Sequence, residues 1–256
     1  MISRIARYLL ALVVSLVSAG LHALDIKVGV YPFAPFVEVN KDSTHSGMTL
    51  DMMALLNKQQ NEFNFIPVSI SPKRRYTSYK DGEFDIIFYE SRKWGWQNID
   101  ILESDVYQTG GEVYVALKKP NRDQSFFDNF SGKRMVGLLG YHYGFANFNS
   151  DEDFLRENYN MVLTWDNAKG IELLLAQRGD IAVVTQAFLK RYLLRHPEHK
   201  DRFLVSEKMD QEYNHTALLR PRIALKLEEL NQMIQELKKT EDWQQLLARY
   251  GVEAQR

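Results

Sequence analysis

The stretch DIKVGVYPFAPF, residues 25–36, decides the fold. Ile26, Val28 and Val30 recur at every second position, the period of a strand with one buried face. Pro32 and Pro35 then remove two backbone donors and stop the ladder. A short strand therefore opens straight into a loop carrying Tyr31, Phe33 and Phe36. Downstream, residues 47–57 (GMTLDMMALLN) place Leu50, Met53, Ala54 and Asn57 at helical spacing, and Phe63 to Ile70 returns to an extended pattern. Strand, helix, strand in this order predicts a β-α-β unit and, with it, a parallel sheet.

The pattern continues and then repeats. Residues 76–80 predict a short helix closed by Asp81-Gly82, and Phe84 to Tyr89 is an apolar run of buried-strand length. Val113 to Leu117 is another apolar strand, followed by the polar run KKPNRD at 118–123, a composition change suited to a crossing between domains. A second series follows: strand at 135–139, helix at 151–158, extended chain at 161–164, helix at 167–177, strand at 181–184, and helix from 186 to 195, stopped by Pro197. Thr216 to Leu219 predicts a second crossing. Residues 224–250 read as one long helical region ended by Gly251, with Leu230, Ile234 and Leu237 along one face. Two α/β series of similar order imply two lobes of related build.

The first 23 residues carry a different signal. Arg4 and Arg7 precede an apolar run from Tyr8 to Ala19, which ends in small residues up to Ala23. At about twelve residues the run is shorter than the roughly 20 needed to span a bilayer, and the layout is that of a cleaved secretory leader, with mature chain from Leu24. No cysteine follows, so a lipid anchor at that point is not expected, and the absence of cysteine excludes disulfides and thiolate metal sites. With 32 basic and 33 acidic residues the net charge is −1, which gives no basic excess for nucleic acid.

Taken in order, KVGVYPFAPF (27–36), GMTLD (47–51), DGEFDIIF (81–88), FSGKRMVGLLG (130–140), LLLAQRGDIAVV (173–184) and WQQLLARYG (243–251) resemble the family 3 bacterial extracellular solute-binding proteins. Such proteins feed polar amino acids and similar solutes to ABC importers. The resemblance implies an α/β, two-lobed periplasmic-binding-protein fold of type II, with a cleft that shuts on its ligand and two crossing strands between the lobes. Lobe one would comprise 24–115 and 217–256, and lobe two 116–216. It further implies a periplasmic, monomeric binder rather than an enzyme, with no cofactor. Its partners would be a small polar solute and a membrane permease or, for a sensory protein, a receptor.

Ligands of open α/β sheets sit beyond the carboxyl ends of the strands, which selects the loops after Val30, Phe88, Leu139 and Val184. Tyr31 and Phe36 are the preferred aromatics for covering a ligand. The loop Tyr89-Glu90-Ser91-Arg92-Lys93-Trp94 departs from the family pattern. The arginine that clamps an amino acid's α-carboxylate in the family would fall at Gln97, and glutamine offers no guanidinium fork. Arg92 either restores an anion contact from a refolded loop or is a solvated charge. The family's aspartate for the α-ammonium falls at Thr185, and Tyr141-His142-Tyr143 stands where a threonine-containing turn is common.

Arg74 lies in SPKRRY (71–76), a string resembling one in a divergent set of the family, and is a substitute cation or a surface charge. The ligand-facing candidates are thus Tyr31, Phe36, Arg74, Tyr89, Glu90, Arg92, Trp94, Tyr141, His142 and Thr185. No hydrolase elbow, zinc-protease helix or phosphate loop occurs. Glu90 and His142 would be the acid/base pair of a dehydratase-like alternative. His196 and His199 straddle Pro197 without an evident third ligand, so no metal is expected and both read as solvated.

Overall fold

A computed structural model describes residues 23–252; the leader reading for residues 1–22 falls outside that range. The chain first forms β1 (Leu24–Val30), the short pair β2 (Glu38–Val39) and β3 (His45–Ser46), α1 (Met48–Gln59), β4 (Phe63–Ser69), α2 (Arg75–Lys80) and β5 (Ile86–Glu90). After β6 (Leu102–Glu103) comes β7 (Gln108–Leu117), and a second series runs β8 (Met135–Leu138), α3 (Glu152–Tyr159), β9 (Val162–Thr164), α4 (Asn167–Leu175), β10 (Ile181–Thr185) and α5 (Gln186–Arg195). The 17-residue β11 (Phe203–Leu219) and the helices α6 (Leu227–Lys238) and α7 (Glu241–Tyr250) complete it.

The two series are built alike. β1 lies between β4 and β5 and is parallel to both, and β8 lies in the same way between β9 and β10. Each trio is flanked by one antiparallel strand, β11 beside β5 and β7 beside β10, and β7 and β11 pair with each other. The order β4-β1-β5-β11-β7-β10-β8-β9 therefore reads the same from either edge. This is a two-lobed α/β fold with two strands crossing between the lobes. β11 changes partner in mid-strand: Phe203 to His215 lie against β7, and Thr216 to Leu219 against β5 and β6.

Packing follows strand periodicity. Met135, Ile181 and Val183 join the larger apolar cluster, which continues through Tyr141 and Phe33 to Val28 and Ile86 of the first series. Their neighbours Val136, Ala182 and Val184 face the other way, toward Ile171, Leu174 and Phe188 of α4 and α5. Side-chain caps start the helices of the second series: Asp151, Asp166 and Thr185 accept from Phe154, Lys169 and Phe188 backbone N–H groups.

Three expectations about elements change. The stripe α1 buries is Met48, Met52, Met53 and Leu56, so Met53 is kept while Ala54 faces solvent. The long C-terminal helix is two, because the Thr240 hydroxyl caps Trp243 N–H and starts a new helix. β11 begins at Phe203, well before Thr216, because the polar run Glu207–Asn214 hides a strand whose alternate residues face solvent. No helix among the described residues is long and apolar enough to cross a membrane.

Candidate functional site: the cleft between the lobes

The carboxyl ends of β1, β5, β8 and β10 deliver their loops to one place. Tyr141 Oη donates to the Pro32 carbonyl at 2.9 Å, and Thr185 Oγ1 to the Ala34 carbonyl at 2.8 Å. Arg191 pairs with Glu38 at 2.9 Å, and Lys73 with Glu152. Gly140 has φ +78° and a Cβ there would sit 3.2 Å from Lys73 N, so glycine serves both the left-handed turn and the close approach of the lobes.

At the centre is a buried cation. α2 turns Arg75, Ser78 and Tyr79 inward at the i, i+3, i+4 spacing of one helix face. Arg75 Nε lies 3.3 Å from Glu90 Oε1. That contact is ionic only, since Nε has no aligned hydrogen-bond acceptor. Nη1 donates to the Pro72 and Gly140 carbonyls, Nη2 to the Trp94 carbonyl at 3.4 Å, and Nη2 also meets His142 Nδ1 at 3.3 Å. The guanidinium rests over the Tyr76 ring at 4.5 Å and the Tyr31 ring at 5.3 Å.

Glu90 is equally committed. Tyr31 Oη donates to Oε2 and Trp96 Nε1 to Oε1, both at 2.7 Å. Burial drives the Glu90 carboxyl pKa up, while Arg75 and the two donors stabilise its charged form. Burial and the neighbouring Arg75 push His142 down to about 3, so its ring is neutral near pH 7 and can accept from Arg75.

Beside this pair lies an enclosed space of about 20 Å³, room for about one water molecule. Tyr31 and Phe33 reach it from the loop after β1, Trp94 from the loop after β5, and Tyr141 and His142 from the loop after β8. Glu112 on β7 and Gln211 on β11 close it from the crossing strands. Phe33 meets Trp94 and Tyr141 edge-on at 5.8 and 5.5 Å. Gln211 ties the wall together: Oε1 accepts from Trp94 Nε1 at 3.0 Å, and Nε2 donates to Glu112 Oε2 and the His142 carbonyl. Burial and the Asp210 carboxylate push Glu112 up to about 8.

Of the candidates read from sequence, Tyr31, Glu90, Trp94, Tyr141 and His142 are brought together here. Phe36 instead stacks on Tyr89 at 4.5 Å and meets His215 at 4.7 Å, behind the cavity. Tyr89 is buried with φ +54°, and its N–H donates to Tyr107 Oη at 2.6 Å. Thr185 caps α5 and touches the opposite loop rather than the cavity.

Arg74 is exposed; the cation that enters the cleft is the next residue, Arg75. Arg92 turns away to the Ile101 carbonyl at 3.0 Å, and Gln97 is exposed and folds back on the Lys93 carbonyl. Arg75, Glu112 and Gln211 were not singled out from the sequence. The buried spacing of Arg75 with Ser78 and Tyr79 was available as a signal, and so was Glu112 as a lone acid at the head of the apolar run VYVAL.

On the other side of the β1 loop, Pro32 and Ala34 border a groove of about 600 Å³ that reaches α5 and the exposed Trp165. His196, at its far end, stands with Glu198 and His199, the potential ligand atoms lying within 4.8 Å of one another. Tyr192 Oη at 2.8 Å from His199 Nδ1 leaves Nε2 facing Glu198. The third donor that the sequence did not reveal is therefore Glu198, and the trio could hold a divalent metal ion.

The fold and the convergent loops define a two-lobed binding protein. Over residues 26–253 the sequence matches the bacterial extracellular solute-binding proteins, family 3, and the chain belongs to that family. No curated protein matches it in sequence. An ABC uptake transporter substrate-binding protein from Streptococcus pneumoniae with bound histidine is similar in structure, with a TM-score of 0.70 and 16% identity over 88% of this chain and 92% of that one. An arginine-specific periplasmic binding protein from Salmonella typhimurium gives 0.66 and 15%, over 89% and 99%. An ancestral amino-acid-binding protein, a precursor of cyclohexadienyl dehydratase, gives 0.66 and 17%, over 88% and 95%.

Proposed function

We propose that this protein captures a small polar solute between its lobes in the periplasm and presents the closed form to a membrane partner, an ABC importer. It acts as a binder, not an enzyme. The observation that carries the reading is the meeting of Arg75, Glu90 and Tyr31 from one lobe with Gly140, Tyr141 and His142 from the other, with Tyr31, Arg75, Tyr141 and His142 bordering one small space. We take residues 24–115 with 217–256 as one lobe and 116–216 as the other, the crossings running in β7 and β11. A solute that touches both sets of loops binds better to the closed arrangement and shifts the population toward it.

The cleft argues against an ordinary α-amino acid as that solute. Gln97 stands at the carboxylate-clamp position and is turned outward, and the donors of Arg75 already face protein groups. Thermal-shift measurements against a solute panel test both points, because a ligand at 100 times its Kd adds about 2.7 kcal/mol of stability. A non-amino-acid solute giving the largest shift supports the reading. Large shifts with common α-amino acids contradict the specificity, and no shift with any class contradicts the binding role.

A further inference from the structure

We infer that the solute is a cation without a carboxylate, an amine or guanidine held by Glu112 among the cleft aromatics. The inference rests on the solute-binding reading above and adds the charge of the ligand. Glu112 is 3% exposed, borders the central space, and accepts one hydrogen bond, from the neutral Gln211 amide. Among the described residues the charge that shifts its titration is another acid, Asp210; Arg75, which borders the same space, is paired with Glu90 instead. Asp210 itself is served by Tyr114 Oη and by the N–H groups of Gly144 and Phe145.

The opposite charge in the cleft is spoken for. The Nη atoms of Arg75 are bonded to three backbone carbonyls and His142. Its Nε, which lacks an aligned acceptor, lies 3.3 Å from the Glu90 carboxylate, which neutralises the guanidinium and would repel a ligand carboxylate there. The acid of the cleft without a paired cation is therefore Glu112, mostly protonated near pH 7 because its pKa is pushed up to about 8. The rings of Tyr31, Phe33, Trp94 and Tyr141 border the same space, and aromatic faces attract ammonium and guanidinium groups. A buried acid that can give up its proton beside such rings suits a cation. The enclosed space holds about one water, so a solute enters only as the lobes part and these side chains rearrange.

The pH dependence is specific to this site. The other titratable groups facing Glu112 are Asp210, Arg75, His142 and the phenols of Tyr114, Tyr141, Tyr143 and Tyr213. Burial raises each of those phenols well above its ordinary range, and His142 is already neutral. A cation that pairs with Glu112 must displace its proton, so apparent affinity rises about tenfold from pH 6 to 7 and levels off above about pH 9.

Agmatine and arginine form the decisive pair, since they share a guanidinium and differ in the α-carboxylate. Calorimetric titrations of the full chain with agmatine, putrescine, choline, arginine, glutamate and a neutral sugar are expected to show at least one carboxylate-free cation binding. Its affinity should fall tenfold or more in Glu112→Gln and rise with pH as above, with arginine binding more weakly than agmatine. Arginine binding as well as agmatine overturns the inference, and so does cation binding that Glu112→Gln leaves intact. Binding of only a neutral or acidic solute overturns it while the solute-binding reading stands. Failure of every class to bind removes both.

Discussion

Arg75 Nε and Glu90 Oε1 lie 3.3 Å apart with side chains 3% and 0% exposed, so the two lobes meet over an ion pair that bulk water does not reach. Such a pair contributes little net stability when whole, because desolvation offsets the attraction, but breaking one half strands a buried charge. Arg75→Met is therefore expected to lower unfolding free energy by about 3–5 kcal/mol in urea melts. The double variant Arg75→Met/Glu90→Leu should recover most of that loss. A double variant as unstable as the sum of the two single ones would contradict the pairing.

Nearby cations should behave differently. Arg74 is exposed, and its replacement by Ala should change stability by no more than about 0.5 kcal/mol. Arg92 gives one hydrogen bond to the Ile101 carbonyl, so Arg92→Ala should cost about 1 kcal/mol. The ranking Arg75, Arg92, Arg74 in chemical denaturation is the check; Arg74 ranking first would misplace the cleft cation.

Stability should pass through a maximum near pH 6.5. The folded pKa of Glu112 is raised to about 8, so its contribution is full below its ordinary value and fades as pH climbs through 8. At order of magnitude this removes up to about 4 kcal/mol between roughly pH 4.5 and 8.5. His142 and His215 are pushed down to about 3 by burial, so their contribution is full above about 6.5 and fades as pH falls toward 3. Two histidines outweigh Glu112 below 6.5, and Glu112 outweighs them above it; the carboxyls of Glu90 and Asp210, also raised by burial, act in the same direction as Glu112. In Glu112→Gln the alkaline decline should largely vanish, which melting temperature against pH will show.

Closure should respond to single hydroxyls. Tyr141→Phe deletes the bond to the Pro32 carbonyl, about 1 kcal/mol, which shifts the open-to-closed ratio about fivefold toward open. The chain has no cysteine, so Lys58→Cys and Glu157→Cys give unique labels on the two lobes for a fluorescence distance measurement. An unchanged distance distribution would mean that this bond does not help hold the lobes together.

The double α/β order was legible in the sequence because strands and helices announce themselves by period: Ile26, Val28 and Val30 at two, Leu230, Ile234 and Leu237 near 3.6. The cleft was half legible. Tyr31, Glu90, Trp94, Tyr141 and His142 lie at or just after strand ends, and the rule that ligands sit beyond those ends pointed to the loops that the fold brings together. Arg75 went unseen because three consecutive cations, Lys73 to Arg75, differ only in which way a six-residue helix turns. Glu112 and Gln211 went unseen because they face each other across two crossing strands 99 positions apart in sequence, a pairing no local pattern encodes. Thr185 caps the helix that follows its strand, a service a threonine at a strand end naturally performs.

The mid-strand change of partner in β11 has a consequence for how the molecule comes into being. The first lobe obtains its fourth strand from Thr216 to Leu219 and two of its covering helices from residues beyond 226, all made after the second lobe. A nascent chain that already contains β1, β4 and β5 still has one open sheet edge at β5, and no way to close it. Completion of the first lobe therefore waits for the residues that follow the second, and contacts so distant in sequence form slowly. One lobe is thus made to wait for the other by chain order alone.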